Sequence, residues 1–267
     1  MSLSSQSQKL LDEYFSLPFK GMPGVRTPYF NNARQKQRGQ LRVLVGKGKP
    51  QEIVDEAQII SIQYHAGIFD KNGHCCLHGT HNNERANTDE IRKFLIDHNL
   101  GVECSGFVTQ ILRAHFKEAK NIDIAQHFTI VSSKHFLRWC LTKLRPVENI
   151  SVRTWMRSEN TTTVSEWTKC QTGDVVIMLE SGPNKKHDHI LLILNNDGKI
   201  IEYAHARAWV SEGKNGHGVT KGQIKIIDLN KGILGQRWEE SGKEGEKNET
   251  WVEAKSAKLL EIRRIKF

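Results

Sequence analysis

A single cysteine stands directly before an apolar, helix-like pattern in the stretch "GVECSGFVTQIL", residues 101–112. The apolar residues recur at three- and four-residue spacing, at Phe107, Val108, Ile111 and Leu112. This spacing predicts a helix that begins near Cys104 and turns one face into the core. A thiol at a helix N-terminus beside an imidazole has its pKa lowered to roughly 3.5–7.5, so it can act as a nucleophile. Cys104 is therefore a candidate nucleophile, although a lone cysteine in this position is more often a buried structural thiol. The first-turn amide groups, including that of Ser105, are candidate donors to an oxyanion.

Two histidines lie on neighbouring predicted strands in the second half of the chain. His189 opens the apolar run "HILLIL", and His205 lies in "IIEYAHA". The intervening "NNDG" is a hairpin signal, so we expect the two strands to pair. Strand alternation places Tyr203 and His205 on one face, and the two histidines can then lie side by side.

A cysteine hydrolase needs a histidine as general base and acid, and a polar group that orients this histidine. We predict that His189 is the base and that His205 orients it. Two carboxylates close to them in the sequence, Glu202 and Asp188, are alternatives for the orienting role.

The chain divides into a helical first half and a strand-rich second half. The run "NTDEIRKFLIDHNLG" predicts a helix that Asn87 or Thr88 caps, and the cysteine helix follows it. Five runs predict strands: "GDVVIML", "DHILLILN", "KIIEYAHA", "QIKIIDL" and "AKLLEIRRIKF". Helices followed by strands indicate an α+β fold. We expect residues 1–50 to form an N-terminal extension or arm, and residues 51–267 the main domain, with an insertion near 117–170.

The motifs "ECSGFVTQIL", "GDVVIM", "HILLIL" and "AHA" occur in this order, which resembles the NlpC/P60 superfamily of papain-like cysteine peptidases. That family has a D-C-S-G-F-V helix start, followed by G-D-L-V, H-V-G-I-Y-L and I-H-A strands. The resemblance covers residues from about 55 to 267. The chain departs from the pattern at Glu103, where aspartate is usual, and at Leu191, where glycine is usual. Its segment between the cysteine helix and "GDVV" is also longer than usual.

The resemblance implies a papain-like fold, in which N-terminal helices pack on an antiparallel sheet or half-barrel. It makes Cys104 the nucleophile, His189 the base and His205 the orienting residue. It implies hydrolysis of an amide or peptide bond, in bacterial peptidoglycan stem peptides, with neither a metal nor another cofactor. A tyrosine that lines the family's site corresponds to Tyr64, although an aromatic ring here is also typical of a core residue.

Other activities on the same fold stay open. Lipid acyltransferases and amidases of this superfamily have a permuted order, in which the histidine precedes the cysteine. In that arrangement "YHAGIF" offers His65 as the partner of Cys104, and the protein is an acyltransferase or deamidase. A further alternative is a binding module that kept the fold without catalysis.

The run "GHCCLHGTH" concentrates metal-ligand residue types: His74, Cys75, Cys76, His78 and His81. Zinc prefers four such ligands in a tetrahedral array. Adjacent cysteines fit a single site poorly, and no second ligand pair has the standard spacing. We therefore expect no metal site.

The composition favours an anionic partner, because the formal net charge is +9. The basic residues are scattered and no nucleic-acid motif is visible, so we expect no nucleic acid but a peptidoglycan fragment or another amide substrate. No window is apolar enough to cross a bilayer, and no signal peptide is visible, although most of the family is exported. These features, with only five cysteines, predict no transmembrane span and a cytoplasmic, reducing location.

Overall fold

A computed structural model describes residues 2–31, 41–70, 72–75, 87–130, 140 and 142–267. The chain groups into two compact units. The first unit takes the described residues within 1–7, 104–205 and 220–267, and the second takes those within 8–103 and 206–219. The predicted division at residue 50 stays a prediction. Part of the predicted insertion, residues 131–139 and 141, lies outside the described residues.

The helices of the described residues are mostly short. They are α1 (Ser5–Phe15), α2 (Pro50–Gln63), α3 (Thr88–Asp97), α4 (Cys104–Lys120), α5 (Ile124–His127), α6 (Pro146–Asn149), α7 (Val152–Trp155), α8 (Gly213–Gly216) and α9 (Glu249–Ser256). Helix α4 is the longest of this set, with 17 residues. In the described ranges, no helix has the length and apolar character needed to cross a membrane.

The strands are β1 (Thr161–Thr163), β2 (Val175–Ser181), β3 (His187–Asn196), β4 (Ile200–Arg207), β5 (Gly218–Lys225), β6 (Arg237–Glu240), β7 (Lys243–Glu244) and β8 (Leu259–Ile265). They form one sheet in the order β1-β8-β2-β3-β4-β5-β6-β7. The pairs β1–β8, β2–β8, β2–β3, β3–β4, β5–β6 and β6–β7 are antiparallel. The predicted α+β class is confirmed. Four of the five predicted strands correspond to β2, β3, β4 and β8, whereas only residues 223–225 of "QIKIIDL" lie in a strand, at the end of β5.

The hairpin between β3 and β4 follows from its turn sequence. The Asp197 carboxylate accepts hydrogen bonds from the amides of Lys199 and Ile200 at 2.8 and 2.7 Å. Gly198 has φ +83°, in the left-handed region that glycine enters without a steric cost. The "NNDG" signal therefore predicts the turn correctly, and the turn sets the register of the two strands.

Helix α4 forms because its apolar residues line up at helical spacing and are buried. Phe107, Val108, Ile111 and Leu112 are all fully buried. Full burial of each such side chain contributes about 1.5–3 kcal/mol. The helix packs against β3, and the Trp155 indole donates to the Thr109 hydroxyl at 3.2 Å. The sheet and α4 thus share one core within the first unit.

The second unit contains α2 and α3. Asn87 caps α3, because its side-chain oxygen accepts from the amides of Asp89 and Glu90, each at 3.0 Å. The segment that precedes α4 is held by backbone bonds within this unit: the Val102 amide donates to the Pro28 carbonyl at 3.0 Å. The last residues of this unit before α4 therefore have a defined backbone conformation within the unit.

Candidate active site

Cys104 is the first residue of α4 and is 5% exposed. The amide groups of a first helical turn have no carbonyl partner within the helix, and they carry the positive end of its dipole. The structure thus places Cys104 at the predicted helix start, where the dipole of a helix interacts favourably with a thiolate. Its role as nucleophile stays a prediction.

Glu103, which stands where the resembling family has aspartate, has a structural environment in the second unit. Its amide donates to the Gly46 carbonyl at 3.0 Å, and its carboxylate forms an ion pair with the buried Lys47 side chain. An added side chain at Gly46 would overlap the Phe30 ring and crowd Glu103, so the close approach requires glycine. The longer glutamate side chain thus has a partner of its own.

Ser105, the predicted oxyanion residue, is buried in the first turn of α4. Its hydroxyl donates to the Ile150 carbonyl at 3.4 Å, which links the start of α4 to the segment between α6 and α7. The hydroxyl is therefore a structural group. Any contribution to an oxyanion site comes from the Ser105 amide, and this role stays a prediction.

His189 and His205 lie side by side, as the hairpin predicts. The Nε2 atom of His189 is 2.7 Å from Nδ1 of His205, within hydrogen-bond distance. The rings are close to perpendicular, at 76°, with centroids 5.0 Å apart. Both residues are buried, at 6% and 0% exposure. One ring nitrogen of each histidine is therefore committed to the other histidine.

The sheet register explains this contact. His189 on β3 pairs with Met178 on β2, and Ile193 on β3 pairs with Tyr203 on β4. Paired residues and residues two or four apart in a strand project to the same face, so these side chains share a face with His205. The neighbours of His189 in β3, Asp188 and Ile190, project to the opposite face.

A third group behind the histidine pair is the carboxylate of Glu240 on β6. Its Oε2 atom lies 3.1 Å from Nε2 of His205, and it accepts a hydrogen bond from the Tyr203 hydroxyl at 2.8 Å. Neither the His205 nor the Glu240 side chain is exposed. The sequence interpretation missed Glu240, because this residue lies 35 residues beyond His205 and its segment, "RWEE", carries no motif.

Gly222 on β5 makes the contact between Tyr203 and Glu240 possible. It pairs directly with Glu240, and β5 lies between β4 and β6. An added Cβ at Gly222 would overlap the Tyr203 ring and hydroxyl. Because Gly222 has no side chain, the Tyr203 ring can pass over β5 and reach the Glu240 carboxylate.

The two alternative orienting carboxylates are placed elsewhere. Asp188 accepts from the Arg153 Nε at 2.7 Å and from the Glu180 amide at 3.1 Å. Glu202 is exposed on the face of β4 opposite to His205. His205, supported by Glu240, is thus the group beside the His189 ring.

The "GD" residues before β2 have structural contacts. Gly173 has φ +90°, a conformation that favours glycine. The buried Asp174 carboxylate accepts two hydrogen bonds from Arg264, each at 2.8 Å, and a third from the Gln171 amide at 2.8 Å. The ion pair raises the pKa of Arg264 above its ordinary value. This motif fixes the start of β2 against β8.

Tyr64 and His65 lie in the second unit, directly after α2. Tyr64 is 62% exposed, so the interpretation of Tyr64 as a core residue is wrong. Its ring centroid is 5.0 Å from that of His98. His65 is exposed and has φ +51°. The roles of Tyr64 in a substrate site and of His65 as a permuted partner stay predictions.

Most of the His/Cys-rich run lies outside the described residues, namely Cys76, His78 and His81. The Nδ1 atom of His74 lies 3.4 Å from the Asp70 carboxylate, and Cys75 is buried. In the part of the chain that the structure describes, no group of three or more potential metal ligands is present.

Comparisons of the chain with protein-family models, with curated proteins and with solved structures find no match. The interpretation of the site therefore depends on its residues and on their geometry.

Proposed function

We propose that this protein is a cysteine hydrolase with an NlpC/P60-like, papain-like fold, and that it cleaves an amide bond in peptidoglycan stem peptides. The observation that carries the proposal is the hydrogen-bonded, buried pair of His189 and His205, with 2.7 Å between its nitrogens. A histidine oriented by a second polar residue is the arrangement that thiol hydrolases use for proton transfer.

The start of α4 supplies the second element of the proposal. Cys104 is the first residue of a helix that packs against β3, the strand that carries His189. A thiol in this position combines a favourable helix dipole with amide donors for an oxyanion. The net charge of +9 suits the acidic groups of a peptidoglycan fragment.

In the proposed reaction, His189 takes the proton of the Cys104 thiol, and the thiolate attacks the carbonyl carbon of the substrate amide. First-turn amides, including that of Ser105, stabilise the resulting oxyanion. The C–N bond breaks, His189 gives its proton to the leaving amine, and a thioester remains on Cys104. His189 then removes a proton from water, the hydroxide attacks the thioester, and the free thiol returns with a carboxylate product.

Digestion of purified muropeptides, read by mass spectrometry, tests the proposal. We expect a new amine terminus in a stem peptide with the unaltered chain and with Cys170→Ser, but not with Cys104→Ser. Absence of any new amine terminus with the unaltered chain would contradict a cell-wall hydrolase.

Histidine variants separate the direct arrangement from the permuted one. We expect His189→Ala to abolish cleavage and His65→Ala to retain it, because His189 has the supporting histidine. Loss of cleavage in His65→Ala alone would instead favour a permuted acyltransferase or deamidase. Muropeptide binding without cleavage would favour a binding module.

A further inference from the structure

A buried chain of polar groups runs from β3 to β6 and ends on a carboxylate. Nε2 of His189 lies within hydrogen-bond distance of Nδ1 of His205, and Nε2 of His205 lies within hydrogen-bond distance of Oε2 of Glu240. The Tyr203 hydroxyl donates to the same carboxylate oxygen at 2.8 Å. No part of the His205 or Glu240 side chain is exposed. Each contact in such a chain requires a donor on one side and an acceptor on the other.

The carboxylate gives this chain a direction. An ionised carboxylate only accepts hydrogen bonds, so the proton between His205 and Glu240 belongs on Nε2 of His205. A neutral His205 then has a lone pair on Nδ1. That lone pair requires a donor, so the proton between the two rings belongs on Nε2 of His189. A neutral His189 with its proton on Nε2 has an unprotonated Nδ1.

We propose that Glu240 is a positioning residue that sets the tautomers of both histidines, so that Nδ1 of His189 is the nitrogen that accepts a proton. The effect passes through His205, and Glu240 itself contacts neither substrate nor thiol in this role. The use of that nitrogen as the general base rests on the proposed function. The assignment of the tautomers rests on the hydrogen-bond chain alone.

The same chain stabilises a positive charge on His189. When Nδ1 of His189 takes a proton, its Nε2–H donates more strongly to His205, which in turn donates to the Glu240 carboxylate. Because these groups are shielded from water, the carboxylate interacts with that charge more strongly than an exposed one would. Glu240 therefore favours both the correct neutral tautomer and the protonated intermediate.

Nitrogen NMR of the full chain, with ¹⁵N-labelled histidine side chains and no substrate, tests the assignment. We expect both histidines of the unaltered protein to carry their proton on Nε2 at neutral pH. A proton on Nδ1 of His189 as the major form would overturn the proposal, whatever the behaviour of any variant.

Variants test whether Glu240 is the cause. Glu240→Leu removes the acceptor, and we expect the proton of His205 to move to Nδ1, which reverses the chain. Tyr203→Phe keeps the carboxylate and should leave both tautomers unchanged, although it loses a hydrogen bond to the same oxygen. Glu239→Leu removes a carboxylate from the adjacent position of β6 and should also change nothing. Unchanged tautomers in folded Glu240→Leu would overturn the proposal.

Kinetics separate this inference from the proposed function. A wrong imidazole tautomer lowers kcat of a hydrolase by up to about 10⁴-fold, so we expect Glu240→Leu to lose kcat rather than to raise KM. If the tautomers are as expected but no muropeptide is cleaved, the function fails and the inference stands. If cleavage occurs with the reversed tautomers, the inference fails and the function stands.

Discussion

Iodoacetamide at neutral pH should modify Cys104 roughly 10²-fold faster than Cys170. Both residues are buried, at 5% and 4% exposure, so their accessibility is closely matched. Their electrostatic environments differ. Cys104 begins α4, whereas burial, and secondarily the Asp174 carboxylate, raises the pKa of the Cys170 thiol to about 11.

The expected ratio follows from the thiolate populations. A thiol with a pKa of about 11 is ionised to roughly one part in 10⁴ at pH 7, whereas an activated helix-start thiol with a pKa of 7 is about half ionised. The more basic thiolate is intrinsically the better nucleophile, by a Brønsted slope of about 0.4–0.5 per pKa unit. Over four pKa units this raises the intrinsic reactivity of the Cys170 thiolate by a factor of about 40–100. The alkylation rate of Cys104 should therefore still exceed that of Cys170 by a factor on the order of 10².

The assay is a time course of alkylation, followed by proteolysis and mass spectrometry of each cysteine-containing peptide. His189→Ala should slow the labelling of Cys104, because the imidazole that favours the thiolate is gone. His187→Ala is the matched control: it removes an exposed histidine from the same strand and should leave the rate unchanged. The rate at Cys170 should rise about tenfold per pH unit between pH 7 and 10, and that at Cys104 should not.

Two results would refute the reasoning. One is labelling of Cys104 no faster than that of Cys170 or the partly exposed Cys140 in the folded protein. The other is a Cys104 rate that is the same in the unaltered chain and in His189→Ala. The first result would show that Cys104 is an ordinary buried thiol. The second would show that the His189 imidazole does not act on it.

Three stability predictions follow from the first unit. Asp174→Asn should lower the free energy of unfolding by about 2–3 kcal/mol, because the Arg264 guanidinium loses its carboxylate partner at a buried site. Urea denaturation measures this free energy, and an unchanged denaturation midpoint would contradict the prediction. Gly222→Ala should destabilise by about 1–3 kcal/mol through overlap with the tyrosine ring beside it, whereas Gly232→Ala, in open space, should change the melting temperature little. The pKa of the Cys170 thiol is raised to about 11 in the folded protein, so the unfolded chain loses the thiol proton at a lower pH than the folded protein does. The free energy of unfolding should therefore fall between about pH 9 and pH 11, by up to roughly 2–3 kcal/mol. Cys170→Ser should show a shallower fall over the same range, and parallel curves for the two proteins would count against this cause.

Local sequence patterns were sufficient for the elements that carry the candidate residues. Helical spacing after Cys104 predicts α4, and "NNDG" predicts the hairpin between β3 and β4. The two-residue period of a strand then places Tyr203 and His205 on one face. These features depend on interactions between residues close in the chain, so the sequence contains the information directly.

The polar chain behind the histidines was decided by the tertiary structure. Glu240 reaches His205 because β5 and β6 continue the sheet beyond β4, and Gly222 leaves room for Tyr203 to reach the same carboxylate. The order of strands in a sheet and the free space at one position depend on packing across many residues. Likewise, Asp188 is close to His189 in the sequence, but strand alternation turns it to the other face, where it binds Arg153. The sequence alone determined which residues share a strand face. Only the fold decided which carboxylate stands behind His205, because that choice depends on residues that are distant in the chain and adjacent in the sheet.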